Sequence, residues 1–151
     1  MSFGQAIHNL AAVIWVGGMF FALVVLRPSA GRLDPAVRLA LWERVLQRFF
    51  AWSWLSVLAL LASGFAMLFV GFGGFVMPAR YISLMATMGI LMAAIFANVY
   101  FFHWPQFRHS VAASDWAEAE RVIRRMRRLA WGNLLLGLAT VLVADSGRHF
   151  G

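Results

Sequence analysis

The stretch AIHNLAAVIWVGGMFFALVVLRPSA, residues 6–30, decides the class of the fold. It belongs to a longer segment, residues 1–26, that carries no formal charge before Arg27. A helix needs about 20 apolar residues to cross the hydrocarbon core of a membrane, because each residue advances it by about 1.5 Å. The segment is therefore predicted to form a transmembrane helix.

The rest of the chain repeats this composition. Of its 151 residues, 62% are hydrophobic and only 13% are charged, so the composition of a water-soluble domain is excluded. The chain has no cysteine, which also excludes disulfides and thiolate ligands. We predict an all-α integral membrane protein, a four-helix transmembrane bundle forming one domain over residues 1–151. The predicted spans cover about residues 5–27, 49–72, 81–104 and 129–145.

The arginines are concentrated in two of the three connections. Eleven of the 13 lie within residues 27–48 or 108–128, and the other two are Arg80 and Arg148. Because positively charged loops stay in the cytoplasm, we expect two helical hairpins with Arg-rich cytoplasmic connections and both termini outside, in a bacterial-type inner membrane. The arginines flank apolar spans, so they indicate the lipid bilayer as partner and no nucleic acid.

Helix start signals lie within these connections. Asp34 followed by Pro35 predicts an N-cap and a first helical residue, opening an amphipathic helix that runs into the second span. Asp115 and Glu118 have the spacing of a capping box. One helix is therefore predicted to continue from Trp116 through the fourth span.

The two halves of the chain share one plan, which predicts an internal repeat. Each half has an apolar span, a proline at the arginine-rich side (Pro28 or Pro105), a polar segment and a returning span. Twenty residues before these prolines lie His8 and Met85. We expect both to lie at similar depth near the outer face.

The first span resembles the opening of CopD-family membrane proteins, with His8, the WVGG run at residues 15–18 and Arg27-Pro28 at the positions of that family's motif. It is similar, more distantly, to the four-helix, haem-containing protoporphyrinogen oxidase family, whose first span carries a histidine ligand. The third span resembles that of both families, with Met85 where they commonly have a lysine. The resemblance implies haem b held between the first and third helices near the outer face, or, alternatively, copper handling.

Five residues are the main candidates for binding a cofactor. An ionisable group inside a span is costly, so His8 is the principal candidate ligand. Met85 is its first-choice partner and His149 its second, because imidazole and thioether groups ligate both haem iron and Cu(I). Arg80 and Arg148 are expected to bind haem propionates or lipid phosphates at the same side.

Small and aromatic residues complete the proposed site. Trp15 and Gly18 share the helix face of the histidine, where a flat macrocycle or a close helix contact needs space. Gly17 and Gly18 are both expected at a helix contact. His103 and His109 lie near the opposite end, and they would become the candidate ligands if experiments excluded a site at the outer face.

Three functional classes follow from these candidates. The first is a haem-dependent membrane oxidoreductase or electron-transfer protein, with a quinone, a porphyrin or a redox protein as partner. The second is a copper-handling protein that uses the histidine and methionines for uptake or resistance. The third is a structural subunit, and the formation of a homo-oligomer is left open. Hydrolase motifs and acidic residues within the spans are absent, which excludes hydrolysis and disfavours a proton-driven pump.

Overall fold

The computed structural model describes residues 3–71 and 80–150, with side chains up to Gly147 in the second range. No strand occurs in these ranges, and the prediction of an all-α fold is confirmed. The α-helices are α1 (Phe3–Phe20), α2 (Arg27–Ala30), α3 (Pro35–Ala66), α4 (Arg80–Asn98), α5 (Trp104–Ala112) and α6 (Trp116–Phe150), and π-helical segments lie at Phe21–Leu26, Met67–Gly71 and Val99–His103.

These elements join into four long helices, each apolar and long enough to cross a membrane. We refer to them as the first to fourth spans: Phe3–Ala30, Pro35–Gly71, Arg80–Ala112 and Trp116–Gly147. The end formed by residues 27–48 and 108–128 is called the arginine-rich end, and the opposite end is called the histidine end. The glycine-containing turn predicted between the second and third spans falls largely on residues 72–79, outside the described residues.

The outer surface of the bundle is apolar. Large hydrophobic side chains along every span are exposed, among them Val13 at 68%, Leu58 at 59% and Leu142 at 69%. A soluble protein does not leave so much apolar surface in water, whereas a membrane protein turns it toward lipid. The chain is therefore a multi-pass membrane protein.

The spans pack as two hairpins. α1 packs along α3, and α4 packs along α6, while smaller contacts of α1 with α6 and of α3 with α4 and α6 join the hairpins. The first and third spans are therefore diagonal neighbours. They meet through an edge-to-face contact of Trp15 with Phe96, whose ring centroids lie 6.0 Å apart. Phe50 and Trp54 extend this aromatic cluster on the second span, and both contact Phe96.

Close glycine contacts fix the spacing of the helices. A methyl group at Gly18 would lie 3.0 Å from the Phe49 ring, which confirms the predicted helix contact there. The same prediction for Gly17 is wrong, because Gly17 is exposed and a methyl group there would meet nothing within 4 Å. The two glycines are adjacent in sequence and so point about 100° apart around the helix, and only one can face α3.

The two prolines of the predicted repeat occupy equivalent positions. Pro28 follows the π-helical segment Phe21–Leu26, and Pro105 follows the π-helical segment Val99–His103. A proline lacks an amide hydrogen and crowds the preceding turn, and a π-helical turn is one way to accommodate it. The matching distortions support the interpretation that both hairpins follow one plan.

The helix start signals are borne out in part. The Asp115 carboxylate accepts a hydrogen bond of 3.1 Å from the backbone amide of Glu118, and α6 runs without a break from Trp116, as predicted. Asp34 precedes Pro35 at the start of α3, but its side chain makes no capping hydrogen bond. α3 therefore begins where the sequence indicates, with the proline rather than the carboxylate defining the start.

Candidate metal site at the histidine end

His8 lies inside the first span and is held by the second span. Its Nδ1 atom is 3.0 Å from Ser63 Oγ, and Ser63 is only 8% exposed. Because this contact joins α1 to α3, the imidazole has a fixed position in the helix interface.

The hydrogen bonds of Ser63 indicate which imidazole nitrogen carries the proton. Its hydroxyl lies 2.5 Å from the carbonyl oxygen of Ala59 and 3.3 Å from that of Leu60. With the hydroxyl proton placed in the short bond to Ala59, Ser63 Oγ is left as an acceptor, and the tautomer that fits has the proton on His8 Nδ1. The neutral ring then keeps its Nε2 lone pair available, as a metal ligand requires.

A glycine of the second span lies beside His8, and a methionine of the same span lies one turn further toward the histidine end. A methyl group at Gly64 would lie 3.4 Å from His8 Cε1, so the absence of a side chain at Gly64 gives the imidazole room. One turn further out, a methyl group at Gly4 would lie 3.9 Å from Met67 Cγ. Met67, the first residue of the π-helical segment Met67–Gly71, therefore lies between the first and second spans as His8 does, and a thioether and an imidazole share this end of the bundle.

The methionine face of the third span is directed toward the fourth span. Met88 Sδ lies 3.6 Å from Thr140 Oγ1, whose hydroxyl donates to the carbonyl oxygen of Leu136 at 2.7 Å. A methyl group at Gly137 would lie 3.1 Å from Met92 Cε. Met85 shares the helical spacing of these two methionines, and no hydrogen bond of the described residues joins it to His8. The partnership of Met85 with His8 thus stays a prediction without a supporting contact.

The other predicted site residues are dispersed. Arg80 is the exposed first residue of α4. The side chains of Arg148 and His149 lie outside the described residues. Trp15 is 3% exposed, and its Nε1–H has no hydrogen-bond partner among the described residues. Its ring packs in the aromatic cluster, while Gly18 contacts Phe49 as described above.

The described interior does not fit haem. The two best-formed cavities there measure about 80 Å³ and 40 Å³, and His8 lines neither of them. A pocket for a drug-sized ligand measures on the order of 300–1,000 Å³. Trp15 and Phe96 occupy the space between the first and third spans. The haem expected between these spans is not supported.

Sequence reasoning found His8 but missed the residues that hold it. Ser63 is one of three buried serines of the second span, with Ser53 and Ser56. Their spacing places them on one face of a helix, and this face could have been recognised as the one turned toward protein. Gly64 and Met67 follow Ser63 on the same side, but the sequence did not show that this side meets α1.

These features define a multi-pass membrane protein with a hydrogen-bonded histidine and a methionine at the same end of the bundle. The family model described as copper resistance protein D matches residues 43–146, which is more than half of the chain, and the chain belongs to this CopD family. The matched region contains Ser63 and Met67, whereas His8 precedes it. Comparisons with curated proteins and with solved structures found no match.

Proposed function

We propose that this CopD-family protein handles copper, binding Cu(I) at the histidine end between the first and second spans. The observation that carries the proposal is the placement of His8. The imidazole is held by Ser63 at 3.0 Å inside an apolar helix, where an ionisable side chain is costly unless it has a role. Membership in the CopD family supports copper as the metal.

The ligand types at this end suit a soft cation. Thioether sulfur favours Cu(I), and imidazole is also a common copper ligand. His8 Nε2 and Met67 Sδ are the proposed ligands, and Met85 remains the alternative thioether. Among the described residues no group of three or more His, Asp or Glu side chains could hold a metal. A harder cation that needs several carboxylates therefore has no matching site in that part of the chain.

The arginine distribution supports an orientation for this function. Eleven of 13 arginines lie at the end opposite His8, and such loops stay in the cytoplasm. The histidine end then faces the outside of an inner membrane, where copper enters. The proposed role is capture of external copper for uptake or resistance.

The test is a Cu(I) competition titration of the purified protein in detergent against a chromophoric chelator. The variants are His8→Ala, Met67→Leu and Met85→Leu, with Met126→Leu as matched control. Leucine conserves the volume of methionine, so it removes the sulfur with little change in packing. Met126 is 4% exposed at the arginine-rich end and remote from His8.

We expect His8→Ala to abolish binding of one Cu(I) equivalent and Met67→Leu to weaken it at least tenfold. Met126→Leu should bind as the parent does. A loss confined to Met85→Leu would move the thioether ligand to the third span. Unchanged binding in His8→Ala would overturn the copper site. An absorption spectrum of the same preparation distinguishes bound haem from bound copper, because haem gives an intense Soret band and Cu(I) gives none.

A further inference from the structure

A cavity opens at the arginine-rich end, away from the proposed copper site. It measures about 80 Å³, is partly open, and is lined mainly by the first, second and fourth spans, with Val99 of the third span also contributing. Its walls are apolar side chains such as Leu23, Val45 and Ile123, and its one charged residue is Arg127. An apolar groove with a cation at its edge has the chemical character of an amphiphile site.

Arg127 is a half-buried cation that lacks a protein anion. Among the described residues it forms no salt bridge and no hydrogen bond. The charged groups that act on it are three arginines, Arg27, Arg38 and Arg124, and one acid, Glu120. Glu120 already bonds Arg38 at 3.1 Å. Arg127 therefore has three cations and one carboxylate acting on it, and the repulsion from these cations favours binding of an external anion.

The position of Arg127 along the fourth span identifies the source of that anion. It precedes the uncharged stretch Leu129–Ala144 by two residues, so it lies at the level where the apolar part of the span begins. Lipid phosphates lie at this level in a membrane, and basic pockets between spans bind anionic headgroups. Guanidinium groups suit phosphate because they donate two parallel hydrogen bonds.

We propose that the arginine-rich end binds an anionic phospholipid, with its phosphate on Arg127 and neighbouring arginines and the start of one acyl chain in the apolar cavity. The site shares no residue with the proposed copper site. It uses the arginine-rich halves of the spans, and a bound lipid would bridge the two hairpins where Arg38 and Glu120 already join α3 to α6.

The test measures the thermal unfolding midpoint of the delipidated full chain in neutral detergent. Phosphatidylglycerol is added in one arm, phosphatidylcholine in a second and inorganic phosphate in a third. The variant is Arg127→Gln, and its matched control is Arg125→Gln on the same helix. Arg125 is exposed, and it is not among the charged groups that act on Arg127. Both variants lose one positive charge, so nonspecific attraction to lipid falls equally.

We expect phosphatidylglycerol to raise the midpoint of the parent and of Arg125→Gln, and phosphatidylcholine to leave both unchanged. Arg127→Gln should lose at least half of this rise. Each variant is compared with itself with and without lipid, so a change in its basal stability does not affect the comparison. Equal rises in the two variants, or equal effects of the two lipids, would overturn the site. A rise with inorganic phosphate as large as that with phosphatidylglycerol would show that the cavity holds no acyl chain, which also overturns the proposal.

The apolar half of the site has a separate test. Ala22 lines the cavity, and Ala22→Phe would fill part of it without changing any charge. Native mass spectrometry of the parent and this variant in the same lipid mixture counts bound phosphatidylglycerol. We expect occupancy to fall at least threefold in Ala22→Phe. Unchanged occupancy would refute a lipid seated in the cavity.

Discussion

Gly137 in α6 lies where three helices meet, so an alanine there tests the packing that leaves no room for a large cofactor. A methyl group at this position would lie 2.9 Å from Val16 Cγ2 and 3.1 Å from Met92 Cε. Overpacking of this kind costs about 1–3 kcal/mol, and the branched valine has little freedom to move aside. The better helix propensity of alanine offsets about 0.5–1 kcal/mol of this cost. We therefore expect Gly137→Ala to lower the free energy of unfolding by about 1 kcal/mol.

Gly132→Ala on the same helix is the matched control. Gly132 is exposed, and a methyl group there would meet nothing within 4 Å. Alanine should raise the free energy of unfolding at this position by about 0.5–1 kcal/mol. The parent and both variants are unfolded in the same detergent and followed by far-ultraviolet circular dichroism. Equal stability of the two variants would refute the close approach of α1, α4 and α6. It would also mean that the middle of the bundle is less tightly packed than the structure indicates, which would reopen the possibility of a large cofactor there.

Three further predictions concern helix contacts, capping and the copper site. Gly18→Leu is expected to lower the free energy of unfolding by about 1–3 kcal/mol through a clash with Phe49. Gly17→Leu should change it by less than about 0.5 kcal/mol. Equal losses of stability for the two variants in thermal unfolding would contradict the helix rotation described. Asp115→Ala removes the 3.1 Å cap of α6 and should cost about 1 kcal/mol, while Asp115→Asn keeps an acceptor and should retain most of the stability in the same assay. Ser63→Ala should weaken Cu(I) binding about tenfold in the competition titration, because the imidazole loses its orienting partner; an unchanged dissociation constant would show that the hydroxyl has no such role.

The number of spans could be predicted from charge, and the starts of α3 and α6 from their proline and capping signals, but hydropathy alone does not show how far the helices extend. The apolar part of the second span is predicted over 49–72, and its helix covers Pro35–Gly71, beginning at the Asp34-Pro35 signal. Hydropathy marks the part of a helix that lies in lipid, while the helix itself begins where a proline or a capping side chain allows it. The arginine-rich segments are therefore helical as well, although they contribute little to the hydropathy signal.

Of the candidate site, only His8 could be predicted from the sequence. His8 stands out because an ionisable side chain inside a span needs an explanation. Its partner Ser63 is distant in sequence, and the contact depends on how α1 and α3 are rotated about their axes. Hydropathy does not determine this rotation, since residues that face lipid and residues that face protein are both apolar. For the same reason the methionine face of α4 was recognisable, but its direction toward α6 was not.

The distribution of charge relates the two proposed sites to each other. A copper ion bound at His8 would approach four arginines, including Arg127 and Arg38, if it moved through the bundle toward the opposite end. These cations repel Cu(I), and the apolar walls of the two interior cavities offer it no compensating carboxylate. An anionic lipid on Arg127 would neutralise part of this repulsion. Lipid binding at the arginine-rich end and copper binding at the histidine end are therefore expected to be coupled favourably, and a titration of Cu(I) with and without phosphatidylglycerol measures that coupling, which Arg127→Gln should reduce.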